Sequence, residues 1–81
     1  MEKAFNISQI SFDKEYLVIR INDQEYRFQV NTISEKLAKA NDKDRNDYVV
    51  SPSGYGIHWP AIDEDISING LLSLLQNRHV A

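Results

Sequence analysis

Cysteine is absent from this 81-residue chain, and basic residues are few. The lack of cysteine excludes disulfides, thiolate metal sites and cysteine nucleophiles. Nine lysine and arginine residues against twelve acids give a net charge of −3, whereas binding nucleic acid by bulk charge needs clustered basic residues. No apolar run approaches the roughly 20 residues of a membrane span, and residues 1–4 do not open a signal-peptide core. We therefore expect a cytoplasmic protein with no membrane segment.

The composition is that of an ordinary globular chain. Hydrophobic residues make up 42% of it and charged residues 26%, which argues against disorder. The length predicts a single domain over residues 1–81. A core of this size supplies a net stability of only a few kcal/mol, and oligomerisation is the usual remedy. A homodimer is therefore one expected assembly.

Alternating apolar residues in the first thirty positions predict an antiparallel three-stranded meander. The parity of these residues changes near Ser8 within segment 5–12, which predicts a β-bulge. Segments 16–21 and 25–30 alternate regularly, and Asn22-Asp23 between them suits a tight hairpin that needs positive φ. The strand at 16–21 has two faces, one formed by Leu17, Ile19 and Ile21 and the other by Tyr16, Val18 and Arg20.

The middle of the chain predicts a short helix and a second hairpin. Thr32 and Glu35 have the spacing of a capping box, which predicts a helix over 33–40. The polar run 41–47 predicts a solvated loop. Two further strands, 48–50 and 55–59, are predicted on either side of a turn at Pro52-Ser53-Gly54, and Pro60 ends the second strand. Trp59 is predicted to lie in the core, and a contact residue at an interface is the alternative.

The last part of the chain has the clearest helical pattern. Ser67 is a predicted N-cap, and the apolar residues after it follow helical spacing: Ile68, Leu71, Leu72 and Leu75. Gly70 weakens such a helix, so we expect close backbone packing there. Residues 76–81 are expected to fray. The predicted fold is α+β with the element order βββαββα.

Neither histidine stands in a pattern typical of a metal or catalytic site. His58 lies on a predicted strand and faces opposite to Ile57 and Trp59, and His79 lies in the tail. No H-x-x-x-H or G-x-S-x-G spacing occurs. We therefore expect no metal site, no cofactor, no catalytic residues and no enzymatic activity. An enzyme would need a deep pocket that holds His58 with an acid within hydrogen-bond reach.

Two other local motifs have simple structural interpretations. The acidic run 63–65 lacks the remaining ligands of a calcium loop, and we interpret it as favouring the positive end of the following helix; a partner-facing acidic rim is the alternative. Gly54-Tyr55-Gly56 joins strand to strand and lacks the lysine of a phosphate loop. We interpret it as a turn from which Tyr55 projects as a contact residue.

Residues 57–72 combine three features in one stretch: I-x-W-P, then D-E-D-I-S, then G-L-L. This combination is similar to the C-terminal signature of the uncharacterised bacterial family numbered 2442 among the domains of unknown function. The resemblance implies a compact α+β fold and no established activity. Some members of that family look like modules joined to helix-turn-helix domains, and others stand alone beside a second small protein in an arrangement that looks like toxin–antitoxin organisation. Because this chain leaves no room for an appended helix-turn-helix, we expect a stand-alone member. The resemblance supplies no catalytic residues.

Two functions from different classes follow as hypotheses. The first is a protein-interaction module, antitoxin-like or adaptor, that binds an unidentified protein partner through a sheet edge or face. The alternative is a homodimeric regulatory domain that binds a small molecule or nucleic acid, with basic residues at 36–45 near phosphate; the acids among them make nucleic acid the weaker option. The candidate partner-binding residues are Tyr16, Val18, Arg20, Tyr55 and His58.

Overall fold

Two three-stranded antiparallel sheets form the framework of an α+β fold, which a computed structural model describes over residues 5–77. The first sheet contains β1 (Ile7–Asp13), β2 (Tyr16–Ile21) and β3 (Gln24–Gln29), and the second contains β4 (Val49–Val50), β5 (Gly56–Trp59) and β6 (Glu64–Ser67). The remaining elements are α1 (Val30–Ile33), α2 (Glu35–Lys39), α3 (Asp42–Arg45), a 3-10 helix (Pro60–Ile62) and α4 (Ile68–Asn77). Within residues 5–77, no helix is long and apolar enough to span a membrane.

The first sheet follows its prediction closely. The register between β1 and β2 shifts between Ile7 and Gln9, which confirms the bulge. Asn22 and Asp23 both have positive φ, 51° and 69°, as a two-residue hairpin turn that matches strand twist requires. The predicted apolar face of β2 is completely buried. Strand alternation therefore determined which side of this sheet faces the core.

The segment between the two sheets differs from its prediction. Ser34 is extended, with φ −163° and ψ 117°, and it separates α1 from α2. Only α2 lies within the predicted helix 33–40, whereas α1 begins before it, at Val30. The N-cap of α2 is Ser34 rather than Thr32, since the Ser34 Oγ accepts from the Leu37 amide at 3.1 Å. The predicted loop 41–47 contains α3, which Asn41 caps by accepting from the Asp44 amide at 2.8 Å. Local caps created more helical turns than the apolar spacing indicated.

The second sheet has a third strand that the sequence pattern did not predict. Residues 64–67 pair with β5 in the register Trp59↔Glu64 to Gly56↔Ser67. Asp63 has φ 52° and turns the chain from the 3-10 helix into β6. No acid lies in the first turn of α4, so the interpretation of the acidic run as helix-terminal charge is wrong. Ser67 is the N-cap, as predicted, because its Oγ accepts from the Gly70 amide at 3.1 Å.

The hydrophobic core joins both sheets and the helices in one cluster. Trp59 is fully buried at the end of β5, as predicted, and its ring contacts Phe12 of the first sheet and Tyr48 with centroid distances of 6.5 and 6.2 Å. The other buried core residues come from every layer: Leu17, Ile19, Ile21, Phe28, Val30, Leu37, Ile57, Ile66, Ile68 and Leu71. Trp59 therefore links the two sheets.

Arg45, at the end of α3, connects three separate segments through hydrogen bonds. Its guanidinium donates to the carbonyl oxygens of Leu37 at 2.9 Å, Ala38 at 3.2 Å and Lys14 at 2.9 Å. Its own carbonyl accepts from the Trp59 indole at 2.9 Å. The guanidinium also lies over the Phe12 ring. Arg45 is therefore a structural residue that joins α2, the first hairpin and β5.

The glycines at 54 and 70 have opposite roles. Gly54 is buried with φ 75°, and a Cβ there would overlap the Phe5 carbonyl oxygen. A Cβ at Gly70 would meet only the Ser67 side chain, at 3.6 Å and 3.7 Å, apart from its own helix backbone. The expectation of close packing at Gly70 is therefore wrong.

Helix α4 continues through Asn77, and residues 78–81, including His79, lie outside the described part of the chain.

We expect Gly70→Ala to raise the free energy of unfolding by about 1 kcal/mol, because alanine favours the helix and its methyl group fits without strain. Gly54→Ala is the matched comparison and should lower it by more than about 1 kcal/mol, because φ is positive and the site is filled. Urea denaturation measures both values. A destabilised Gly70→Ala variant would contradict the open surroundings of Gly70.

We expect Arg45→Lys to lower the free energy of unfolding by about 2 kcal/mol, because an ammonium group cannot replace a planar guanidinium that donates to three carbonyls. Lys43→Met on the same helix is the control, since Lys43 is exposed and its loss should change stability by less than about 0.5 kcal/mol. Equal urea midpoints for the two variants would contradict the role of Arg45.

Candidate functional site

An open cavity of about 570 Å³ lies on the outer face of the second sheet. It is mostly apolar, and its lining includes Val49 of β4, Tyr55 of the β4–β5 loop, His58 of β5 and Asp65 of β6. Val49 and Tyr55 are each 58% exposed, which is unusual for large hydrophobic side chains. Exposed apolar groups that surround a concave surface are typical of binding sites.

Strand register brings these side chains together. His58 pairs with Val49 on one side and with Asp65 on the other, so all three share the outer face. The neighbours of His58 in β5, Ile57 and Trp59, are buried on the opposite face. This arrangement confirms the predicted orientation of His58. It also places the carboxylate of Asp65, from the acidic run, beside His58 on the outer face.

His58 and Asp65 form the polar part of the cavity. The His58 Nδ1 lies 2.7 Å from the Asp65 Oδ1, and the side chains are 42% and 76% exposed. A carboxylate only accepts hydrogen bonds, so the neutral imidazole carries its proton on Nδ1 and has an acceptor at Nε2. The pair therefore fixes the tautomer of His58 and leaves the second ring nitrogen available for a ligand or partner.

Hydrogen bonds at both the amide and the carbonyl of Tyr55 fix its backbone. Its amide donates to the Ser51 Oγ at 2.9 Å, and the adjacent Gly56 amide donates to the same oxygen at 3.2 Å. Its carbonyl accepts from the Ile68 amide at 2.8 Å. Tyr55 thus presents an exposed aromatic side chain from a fixed backbone, which agrees with the prediction that it projects from its turn.

The remaining predicted contact residues, Tyr16, Val18 and Arg20, lie together on the outer face of the first sheet. This face is polar, and its exposed groups bind one another. The Arg27 guanidinium lies 5.4 Å from the Tyr16 ring centroid and donates to the Asp13 carboxylate at 3.0 Å. The five predicted contact residues therefore lie on two separate surfaces, because Tyr55 and His58 belong to the second sheet and its loop.

Sequence analysis missed Val49 and Asp65 as members of the site. The only sequence signal for Val49 was its position in the predicted strand 48–50, where its side chain points to the opposite side from that of Val50. In β6 the exposed Asp65 lies between Glu64, whose carboxylate accepts from the Ser34 hydroxyl, and the buried Ile66. This alternation of sides is typical of a strand, but the segment was interpreted as the approach to a helix. No cluster of three or more metal-ligating acids and histidines occurs among residues 5–77.

We expect the neutral ring of His58 to carry its proton on Nδ1 in the wild-type protein and to lose this preference in Asp65→Ala, because the acceptor is then gone. Ring nitrogen shifts in ¹⁵N NMR spectra at alkaline pH report the tautomer. Asp65→Asn is the control, since its amide oxygen still accepts from Nδ1. An unchanged tautomer in Asp65→Ala would contradict the role of the pair.

Comparison with known proteins identifies the family. Residues 7–76 match the family model described as a protein of unknown function (DUF2442). The fold is similar to the crystal structure of a protein of unknown function from Rhodospirillum rubrum ATCC 11170, with a TM-score of 0.68, 20% identity and 88% of each chain covered; at this identity the likeness concerns the fold alone. Among curated proteins none matches the sequence. Because the match spans most of the chain and agrees with the signature at 57–72, this protein belongs to the DUF2442 family.

Proposed function

We propose that this protein is a protein-interaction module that binds its partner at the outer face of the second sheet. The observation that carries the proposal is the pair of exposed apolar side chains, Val49 and Tyr55, at a cavity that also contains His58 and Asp65. Apolar and aromatic contacts with a few polar groups are the usual composition of a protein interface.

The fixed backbone of Tyr55 supports this function. Tyrosine offers a large contact area with few rotatable bonds, so little conformational entropy is lost when a partner covers it. The hydrogen bonds on both sides of Tyr55 reduce that loss further. The Tyr16 ring is less available, because Arg27 lies against it. We therefore assign the partner-binding role to Tyr55 and His58 ahead of the face that contains Tyr16, Val18 and Arg20.

The contacts of His58 favour binding over catalysis. His58 meets the condition that an acid lie within hydrogen-bond reach, since Asp65 is 2.7 Å away. Among the side chains of residues 5–75, however, no hydroxyl or amine that could serve as an internal nucleophile donates to the ring. We propose that the pair recognises a partner and that the protein is not an enzyme.

Hydrogen bonds within the fold occupy two of the basic side chains of the α2–α3 region, which favours a protein partner over nucleic acid. The guanidinium of Arg45 is used within the fold by three backbone carbonyls. The ammonium of Lys36 donates to the Asp63 carbonyl at 3.0 Å. Fewer cations are thus free to contact phosphate than the sequence indicates, and the acids of the same segment oppose such binding.

We expect Val49→Asp and Tyr55→Ser to abolish a stoichiometric complex that the wild-type protein forms in a lysate of its native host, because each change removes apolar contact area and the first adds an unpaired charge. Affinity purification with mass spectrometry measures the complex, and circular dichroism checks that the variants fold. The identity of the captured protein then distinguishes an antitoxin-like role from an adaptor role.

Tyr16→Ala is the matched control on the other sheet and should retain the complex. A complex lost in Tyr16→Ala and kept in Val49→Asp would contradict the proposed surface, and failure to recover any stoichiometric protein would contradict the proposed function. Light scattering and native mass spectrometry test the alternatives. A mass twice that of the chain, lost in Val49→Asp, would identify a homodimer at this surface, and an added small mass would identify a bound metabolite; either would replace the proposed partner.

A further inference from the structure

The polar part of the cavity presents hydrogen-bond acceptors from its two ionisable residues. The His58 Nδ1 and the Asp65 Oδ1 are used by one another, which leaves the second carboxylate oxygen and, when the ring is neutral, the Nε2. Among the side chains that the structure describes, those of residues 5–75, none donates to that second oxygen, Oδ2. An occupant that satisfies both positions must supply donors.

The charge of the cavity favours a cation. Asp65 provides the formal negative charge, and no lysine or arginine side chain of the described chain lines the cavity. The whole protein carries a net charge of −3. A positively charged group therefore meets an attractive field, which raises the rate of encounter and helps to select the partner.

The apolar part of the cavity indicates which cationic side chain fits best. Val49 offers an exposed aliphatic surface for the methylene groups of a long basic side chain. Tyr55 offers an exposed aromatic ring, and guanidinium groups stack on such rings. Arginine presents five donors in a planar arrangement, whereas lysine presents a compact and strongly hydrated charge. The acceptors and the aromatic ring together favour arginine.

We propose that the cavity binds an arginine side chain of the protein partner, with the guanidinium on the free oxygen of Asp65 and the methylene groups on Val49. This inference rests on the proposed interaction function and specifies the chemistry of its partner. The guanidinium donates to the Asp65 Oδ2, and the Tyr55 ring covers one of its faces.

The experiment titrates the wild-type protein with the blocked peptide acetyl-Gly-Arg-Gly-amide and follows backbone amides in ¹H–¹⁵N spectra. We expect saturable shifts centred on Val49, Tyr55, His58 and Asp65. The matched peptide with citrulline has the same shape without the charge, and it should bind about fivefold more weakly, as an exposed ion pair allows. Asp65→Asn should lower the affinity for the arginine peptide about fivefold and leave citrulline binding unchanged.

Three results would overturn the arginine proposal: equal binding of the two peptides, an unchanged affinity in Asp65→Asn, or shifts that lie on another surface or do not occur. The lysate complex separates this proposal from the broader one. A complex that is lost in Val49→Asp but that Asp65→Asn binds as tightly as the wild-type protein does rejects arginine recognition while supporting the interaction function. A complex retained in both variants rejects the surface itself.

Discussion

The structure depends on the hydrogen bonds that surround Arg45. Its guanidinium donates to carbonyls near the C-terminus of α2 and to the Lys14 carbonyl in the turn of the first hairpin, while its own carbonyl accepts from the Trp59 indole. A chain of this length has a small core and no disulfide, so polar contacts that satisfy several backbone groups at once matter greatly. These contacts hold β5 against the first sheet and thereby orient its other face, where His58 lies, toward solvent.

Local patterns predicted the parts of the fold that local physics determines. The apolar alternation of β2, the left-handed turn at Asn22-Asp23 and the cap at Ser67 each depend on residues close in sequence, and each was confirmed. Trp59 was correctly placed in the core for a similar reason, since its strand alternates. Family membership was also recognisable, because the signature at 57–72 is a continuous stretch.

The candidate site was less accessible to sequence analysis because it depends on strand pairing. His58 and Asp65 meet only through the register between β5 and β6, and the acidic run that forms β6 also resembles the approach to a helix. The contact between the Ser34 hydroxyl and Glu64, thirty residues away, was hidden for the same reason. Likewise, Arg45 looked like part of a charged surface until the fold brought carbonyls to it.

The shortness of β4 has a consequence for solubility. An edge strand with exposed hydrophobic side chains ordinarily invites other chains to extend the sheet, which leads to aggregation. Because β4 contains only two residues, its free edge offers too few backbone groups to template another strand. The strand that carries the exposed Val49 therefore contributes little to edge-to-edge association of the sheet.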